Sequence, residues 1–143
     1  RPVSPVGRLD RQSHGLMILT NDGEFSNLLM HPSFKVDKTY YVKLDKKLQK
    51  IDYLRLEKGL ILEDGPICFS KVSLSRSNIE LLVTLSEGRN RIVRRAFEHI
   101  GYTVKSLKRE SVGIFSLDTM ESGQIKQLSK KEINEFKKQY RSN

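Results

Sequence analysis

Two neighbouring segments with strand periodicity constrain the fold of this chain more than any other feature. Residues 67–75 alternate between apolar and polar side chains, and residues 79–85 form a second run rich in apolar and β-branched residues. Ser77 and Asn78 lie between the two runs, a connection typical of a tight turn. Because a period of two places one set of side chains on the buried face of a sheet, the sequence predicts an antiparallel β-hairpin.

The rest of the chain alternates between strand and helix patterns. Apolar runs predict strands over residues 16–20, 39–44, 103–107 and 114–117. Helical spacing predicts helices over residues 24–30, 48–58, 92–100 and from about residue 130, with starts marked by Asp22 and by a capping box at Ser129 and Glu132, and ends marked by Gly59 and Gly101. These elements predict one α+β domain over residues 1–143, with a mixed, largely antiparallel sheet and flanking helices.

The charge balance favours a polyanionic partner. The chain has 26 Lys and Arg residues against 17 Asp and Glu residues, which gives a net charge of +9. Such an excess is typical of proteins that dock on phosphates, so nucleic acid is the first partner to consider. A basic surface that is merely solvated is the alternative, and charge by itself does not separate the two.

The composition also argues against several classes of protein. The single cysteine, Cys68, cannot form an internal disulfide, and the three histidines stand too far apart for a metal-ligand motif. No apolar run approaches the ~18 residues that span a membrane. We therefore expect a cytoplasmic protein that binds neither a metal nor a membrane, and we expect it to be a monomer.

Arg8 and Asp10 are the first candidates for chemistry. They flank Leu9 in the run GRLD, so the apolar residue can anchor the loop while the two charged side chains face outward. A surface ion pair explains the same pattern, because exposed pairs are common and weak. The interpretation of this loop therefore depends on a second segment.

That second segment is a group of four arginines at the start of a predicted helix: Arg89, Arg91, Arg94 and Arg95. Guanidinium groups contact phosphates, and one that points inward can hold a carboxylate ionised through a bidentate pair; a solvated helix face is the alternative. At ~100° per residue, Arg91 lies opposite the apolar stripe, and Arg94 and Arg95 lie on its flanks. Helix geometry leaves open which arginine points into a site.

Two adjacent tyrosines, Tyr40 and Tyr41, follow Lys38 on a predicted strand. Adjacent strand residues point to opposite faces, so one ring faces the core and the other lies on the opposite side. A ring of this kind can stack on an unpaired base, although packing is its more common role.

Three stretches occur in one order and together resemble a known family. They are PVGRLDRQSHGLMILTNDGE, KTYYV and LSEGRNRIVRRAFEHIGYTVKSLKRESVG. They resemble the motifs of the bacterial ribosomal RNA pseudouridine synthases of the RsuA/RluB type, and the resemblance extends over essentially the whole chain. It implies the pseudouridine synthase fold, an isomerase that converts one uridine of rRNA to pseudouridine, and no cofactor.

The resemblance also implies roles for individual residues. The aspartate of GRLD is the catalytic carboxylate of the family and falls on Asp10, while the tyrosine that packs against the target base and takes part in catalysis falls on Tyr40. The arginine that pairs with the aspartate falls on Arg94, next to Val93, which lines the pocket. Arg8 faces the RNA, and the weaker assignments, as phosphate or site-supporting contacts, are Arg89, Arg91, Arg95 and Lys38.

This chemistry has a physical reason. The N1 to C1′ bond must break, the uracil must rotate while it is held, and C5 must bond to C1′, so nothing is consumed. Asp10 either attacks C1′ or removes the C2′ proton to give a glycal, and both routes require an ionised, accurately placed carboxylate. The residues do not choose between the routes.

Within the family, the stretches LMHPSFKVDKTY, LEDGP and EGRNR most resemble the RluB branch, which modifies large-subunit (23S) rRNA. Family members usually carry an N-terminal RNA-binding domain of the ribosomal S4 type and a further catalytic segment before GRLD. Neither precedes Asp10 here, so we interpret residues 1–143 as an N-terminally truncated catalytic domain. A non-catalytic rRNA-binding assembly factor with the same fold is the alternative, whereas a DNA-binding domain would require a helix-turn-helix pattern that the sequence lacks.

Overall fold

The computed structural model describes residues 2–7, 9, 11–117 and 120–141. The strands are β1 (Ser4–Pro5), β2 (His14–Gly15), β3 (Leu19–Thr20), β4 (Lys38–Leu44), β5 (Leu60–Leu62), β6 (Gly65–Ile67), β7 (Lys71–Leu74), β8 (Glu80–Leu85), β9 (Val104–Val112) and β10 (Phe115–Ser116). The helices are α1 (Gly23–Met30), α2 (Lys50–Lys58), α3 (Ile92–His99) and α4 (Lys130–Arg141), with a 3-10 turn over Pro32–Phe34.

A six-stranded sheet forms the centre of the molecule. Its strands follow the order β10-β9-β4-β8-β7 with antiparallel pairing, and β2 adds to β9 in the parallel direction. Two small antiparallel pairs, β1 with β3 and β5 with β6, lie outside it. The predicted α+β class with a mixed, largely antiparallel sheet is confirmed, and so is the β7–β8 hairpin.

Two apolar clusters hold the helices in place. The larger cluster packs α2, α3 and the β5–β6 hairpin on one face of the sheet, around side chains such as Val42 and Phe97 that are fully buried. The smaller cluster joins α1 and α4 to the β9–β10 turn, where the Phe25 and Phe136 rings meet edge to face with their centroids 5.4 Å apart. The space between the first strands of the chain and the central sheet is where the candidate site lies.

The local signals at the helix ends are confirmed. The side chain of Asp22 accepts a hydrogen bond from the Phe25 backbone N–H at the start of α1. Ser129 and Glu132 form the predicted capping box, in which each residue accepts a bond from the backbone of the other. Gly59 ends α2 with a positive φ of 104°. Helices of this kind could be located from sequence because their end signals are local.

Three strand predictions were wrong in extent. The run at residues 67–75 is divided between β6 and β7, which pair with different strands, and β5 was not predicted. Within residues 16–20 only Leu19–Thr20 is a strand, although the side chains of Leu16 and Ile18 are buried. The strand predicted to end at residue 107 continues to Val112. Periodicity reports which side chains are buried, but it does not identify the partner strand.

Among the described helices, none has the length and apolar character needed to cross a membrane.

Gly15 supports the pairing of β2 with β9, and its replacement by alanine should destabilise the fold. Its φ is +119°, and a Cβ at this position would overlap the backbone N and the backbone O of Arg109. We expect Gly15→Ala to lower the free energy of unfolding by roughly 1–3 kcal/mol or more. Gly23→Ala is the matched control, because a Cβ there meets nothing within 4 Å. Urea unfolding followed by circular dichroism measures both, and equal stability of the two variants would contradict the close approach.

Candidate functional site

A cavity of about 490 Å³ lies between the start of the chain, β4, β9 and the loop before α3. Its wall includes five of the residues predicted for the site: Lys38, Tyr40, Arg89, Arg91 and Val93. Leu9, Arg11 and Arg109 also line it. Asp10 and Arg8 lie outside the described residues, but Leu9 and Arg11, on either side of Asp10, both border the same space.

Strand β4 supplies one wall of the cavity. Lys38 and Tyr40 are two residues apart and therefore point to the same face, and Tyr40 also packs against the larger apolar cluster. Tyr41 points to the opposite face, where its hydroxyl donates a 2.6 Å hydrogen bond to Glu80 Oε2. That bond to a carboxylate raises the pKa of Tyr41 to about 12. Of the two tyrosines, Tyr40 is therefore the one that can meet a base in the cavity.

Lys38 contributes a partly buried cation. Burial lowers the pKa of its ammonium group, the neighbouring charge of Arg109 lowers it further, and Glu87 and Asp37 oppose the shift. A Cβ on Gly88 would lie 3.8 Å from Lys38 Nζ, so the ammonium sits close to the loop that precedes α3. The cavity thus has positive charge on the β4 side as well as on the arginine-rich side.

Arg94 is the buried arginine of α3, although it is not among the described residues that line the cavity. Only 6% of the residue is exposed. Its Nη1 donates to the carbonyl of Val104 at 3.0 Å, and its Nη2 donates to the carbonyl of Gln12 at 2.8 Å. Gln12 follows Asp10 by two residues, so the guanidinium group contacts backbone that is close to the predicted carboxylate in the sequence. The predicted pairing of Arg94 with Asp10 itself lies outside the described residues.

Arg89 and Arg95 hold the β5–β6 turn against α3. Arg95 forms a bidentate pair with Asp64, with Nη1 to Oδ1 at 2.9 Å and Nη2 to Oδ2 at 3.0 Å. Arg89 contacts Asp64 Oδ1 at 3.0 Å, the Pro66 carbonyl at 2.7 Å and Glu87 Oε1 at 2.5 Å. These contacts favour a site-supporting role over direct phosphate binding for both arginines, since their donors already bind protein acceptors.

Arg91 and Val93 complete the loop side of the cavity. Arg91 is exposed, occupies the N-cap position of α3 without a side-chain capping bond, and has a left-handed backbone with φ 52°. Val93 is buried and packs into the larger cluster while it borders the cavity. The left-handed backbone of Arg91 is uncommon for a residue other than glycine, and such residues concentrate at functional sites.

The sequence prediction missed Arg109, which is 5% exposed and lines the cavity. Its Nε and Nη2 both donate to the carbonyl of Leu16, at 2.9 Å and 2.7 Å. The available signal was its spacing of two from Leu107, which places the side chain on the buried face of a strand. The predicted strand ends at residue 107 and therefore does not include Arg109.

Known proteins identify the family to which this chain belongs. A family model described as RNA pseudouridylate synthase matches residues 1–99, which include the first and second motifs and all of α3. The chain belongs to the RNA pseudouridylate synthase family. The sequence-based resemblance to pseudouridine synthases is therefore confirmed.

Individual members of the RNA pseudouridylate synthase family agree with this result. The ribosomal large subunit pseudouridine synthase B of Bacillus subtilis (strain 168) is 39% identical over 140 residues, covering 94% of this chain and 57% of that protein. The ribosomal large subunit pseudouridine synthase E of Vibrio parahaemolyticus is 39% identical over 145 residues, covering 90% of this chain and 61% of that protein. The chain thus spans less than two thirds of the length of these relatives.

Solved structures place the same fold in the family. The crystal structure of a pseudouridylate synthase superposes with a TM-score of 0.85 at 28% identity, covering 94% of this chain and 59% of that chain. The archaeal box H/ACA sRNP Nop10-Cbf5 complex contains a chain that matches with a TM-score of 0.57 at 14% identity, covering 81% and 40% of the two chains. The second match carries the fold alone. The predicted pseudouridine synthase fold is confirmed by the first.

Arg89 and Arg95 both bind Asp64, and we call these ion pairs the Asp64 clamp. We predict that the clamp holds the β5–β6 hairpin at the wall of the site. Asp64→Asn removes the carboxylate that Arg89 and Arg95 share, so the amides of the β5–β6 hairpin should exchange with deuterium a few-fold faster. In the wild type, Arg95 lowers the pKa of Asp64. The ionised carboxylate stabilises the folded clamp at pH values above its ordinary pKa of 3.8, and this contribution is lost as the pH falls through the lowered folded-state pKa.

Glu63→Gln is the matched control for this experiment, because it removes the same charge one residue earlier and leaves the clamp intact. Hydrogen exchange measured by mass spectrometry at neutral pH compares the two variants. It separates the loss of the clamp from the loss of one negative charge. If the hairpin amides exchange equally fast in both variants, the clamp does not hold the hairpin.

Proposed function

We propose that residues 1–143 form one catalytic domain of a ribosomal RNA pseudouridine synthase that isomerises a specific uridine, with Asp10 as the catalytic carboxylate. We further propose large-subunit (23S) rRNA in the cytoplasm as the substrate, since two relatives are named for the large ribosomal subunit. The observation that carries the proposal is the cavity that brings Tyr40, Lys38, Val93 and Arg91 together beside the two neighbours of Asp10 in the chain.

The cavity is suited to one extruded nucleotide. Its volume of about 490 Å³ lies within the ~300–1,000 Å³ typical of small-ligand pockets. An enzyme that reacts at C1′ and C5 of a uridine must take the base out of its stack, and the exposed base then needs a new surface. Tyr40 provides an aromatic ring for this purpose, while Val93 supplies apolar contact from α3.

Arg94 supports the placement and ionisation of Asp10 in this proposal. Its hydrogen bonds to the carbonyls of Gln12 and Val104 fix the guanidinium group relative to both Gln12 and β9. A charge-assisted pair with Asp10 would favour the ionised carboxylate, which both chemical routes need. In either route the atoms of the nucleotide are conserved apart from the C5 hydrogen, which exchanges for a solvent proton at N1. The stoichiometry therefore requires no cofactor.

The arginines around the cavity divide into two groups in this proposal. Arg91 and Arg11 are exposed at the rim and are the proposed phosphate contacts, together with Arg8 and Lys38. Arg89 and Arg95 instead maintain the wall through Asp64. The net charge of +9 gives the surrounding field that attracts RNA to this surface.

Asp10→Asn tests the proposed chemistry. Formation of the C5 to C1′ bond expels the C5 hydrogen, so tritium release from [5-³H]uridine-labelled large-subunit rRNA reports turnover. We expect the isosteric change in the full-length gene product to reduce release by a factor of ~10³ or more. The RNA affinity and the unfolding midpoint should remain close to those of the wild type.

The controls of this experiment separate the alternatives. Substantial release by Asp10→Asn would contradict the catalytic assignment. If the wild type binds the rRNA tightly but releases no tritium from either free rRNA or assembly intermediates, the protein is a non-catalytic assembly factor with the same fold.

The division of the arginines predicts different salt dependence for two variants. Arg91→Gln should reduce the slope of log K against log salt by ~0.7–0.9, because one phosphate contact is lost. Arg89→Gln removes the same charge from a guanidinium group that binds Asp64 and Glu87, so its slope should stay at the wild-type value. Filter binding to an rRNA fragment over a range of salt concentrations measures both, and equal slope changes would show that the division is wrong.

A further inference from the structure

Arg109 is a buried cation that the proposed chemistry does not use directly. It lies in β9, 93 residues from Leu16, whose carbonyl accepts hydrogen bonds from both Nε and Nη2. Burying a guanidinium group costs free energy unless its N–H donors have acceptors. Because two donors of Arg109 bind the Leu16 carbonyl, the buried side chain fixes the position of that carbonyl.

The backbone of Arg109 also binds Leu16, through the Leu16 N–H group. The Leu16 N–H donates to the Arg109 carbonyl at 2.8 Å, so a single residue of β9 holds both the N–H and the C=O of Leu16. Gly15 pairs with Arg109 in the β2–β9 ladder, and the backbones approach so closely that a Cβ on Gly15 would overlap the Arg109 backbone. The segment after Asp10 is therefore fixed on β9 at this point.

Arg109 is also the cross-strand neighbour of Tyr40. The two residues are register partners in the β4–β9 pairing, next to an irregularity between Thr39 and Tyr40. One residue thus contacts the segment that follows Asp10 and the strand that presents the ring to the cavity. Arg94 holds the same segment nearer to Asp10, through Gln12.

We propose that Arg109 is a positioning residue for the isomerase, which sets the distance between Asp10 and a uridine held at Tyr40 through its bonds to Leu16. The inference rests on the proposed function. Arg109 acts through the backbone rather than on the substrate, so its loss should reduce the rate of the chemical step and leave RNA binding intact. Misplacement of a catalytic group by about 1 Å costs on the order of 100-fold in rate.

The test compares Arg109→Lys and Arg109→Gln with the wild type in the full-length gene product, using tritium release from labelled large-subunit rRNA. Lysine keeps the charge but loses the planar fork, and glutamine keeps an NH2 donor group but loses the charge. For both variants we expect kcat per folded molecule to fall by about 100-fold, with KM within about twofold of the wild type. Lys108→Gln is the control, because it removes a neighbouring charge on the opposite face of β9.

Each outcome decides the inference. Loss of kcat at constant KM in a folded variant supports positioning. Three outcomes overturn the inference. A raised KM with unchanged kcat would show that Arg109 binds the substrate itself, and unchanged kinetics would show that Leu16 needs no anchor. Failure of both variants to fold would show that Arg109 serves the fold alone. A wild type without tritium release would instead refute the proposed function on which it rests.

Discussion

Two buried guanidinium groups hold the segment that follows Asp10 against the central sheet. Arg94 binds the carbonyl of Gln12, and Arg109 binds the carbonyl of Leu16. Neither Gln12 nor Leu16 lies in a strand, since β2 and β3 have only two residues each. The arginines supply the donors that a longer ladder would otherwise provide. The position of this segment relative to Tyr40 is therefore fixed by side chains from α3 and β9.

The positive charge of the chain serves two purposes in this structure. Part of it is internal, since Arg94 and Arg109 are buried and Arg89 and Arg95 bind Asp64 beside the cavity. Other basic residues, among them Arg91 and Arg11 at the rim, are exposed and give the surface its attraction for phosphates. Counting arginines in the motif before α3 would overstate the number available to RNA, because a guanidinium group that binds protein acceptors has fewer free donors.

Local signals in the sequence located most of the fold and much of the candidate site. The caps at Asp22 and Ser129, the β7–β8 hairpin and the opposite directions of Tyr40 and Tyr41 follow from short-range rules, and the motif resemblance led to the family. The division of residues 67–75 between two sheets and the role of Arg109 depend on partners that are distant in sequence. Periodicity carries no information about such partners, so these features required the structure.

In the proposed reaction, the cavity beside Tyr40 receives a uridine that reacts with Asp10. The most direct test of this proposal is the structure of the full-length protein bound to a large-subunit rRNA fragment. We predict one extruded uracil stacked on Tyr40, with the Asp10 carboxylate within roughly 3.5 Å of the C1′ or the C2′ atom of the ribose. An empty cavity, with RNA bound instead across the outer sheet face at Tyr41 and Leu82, would contradict the proposal.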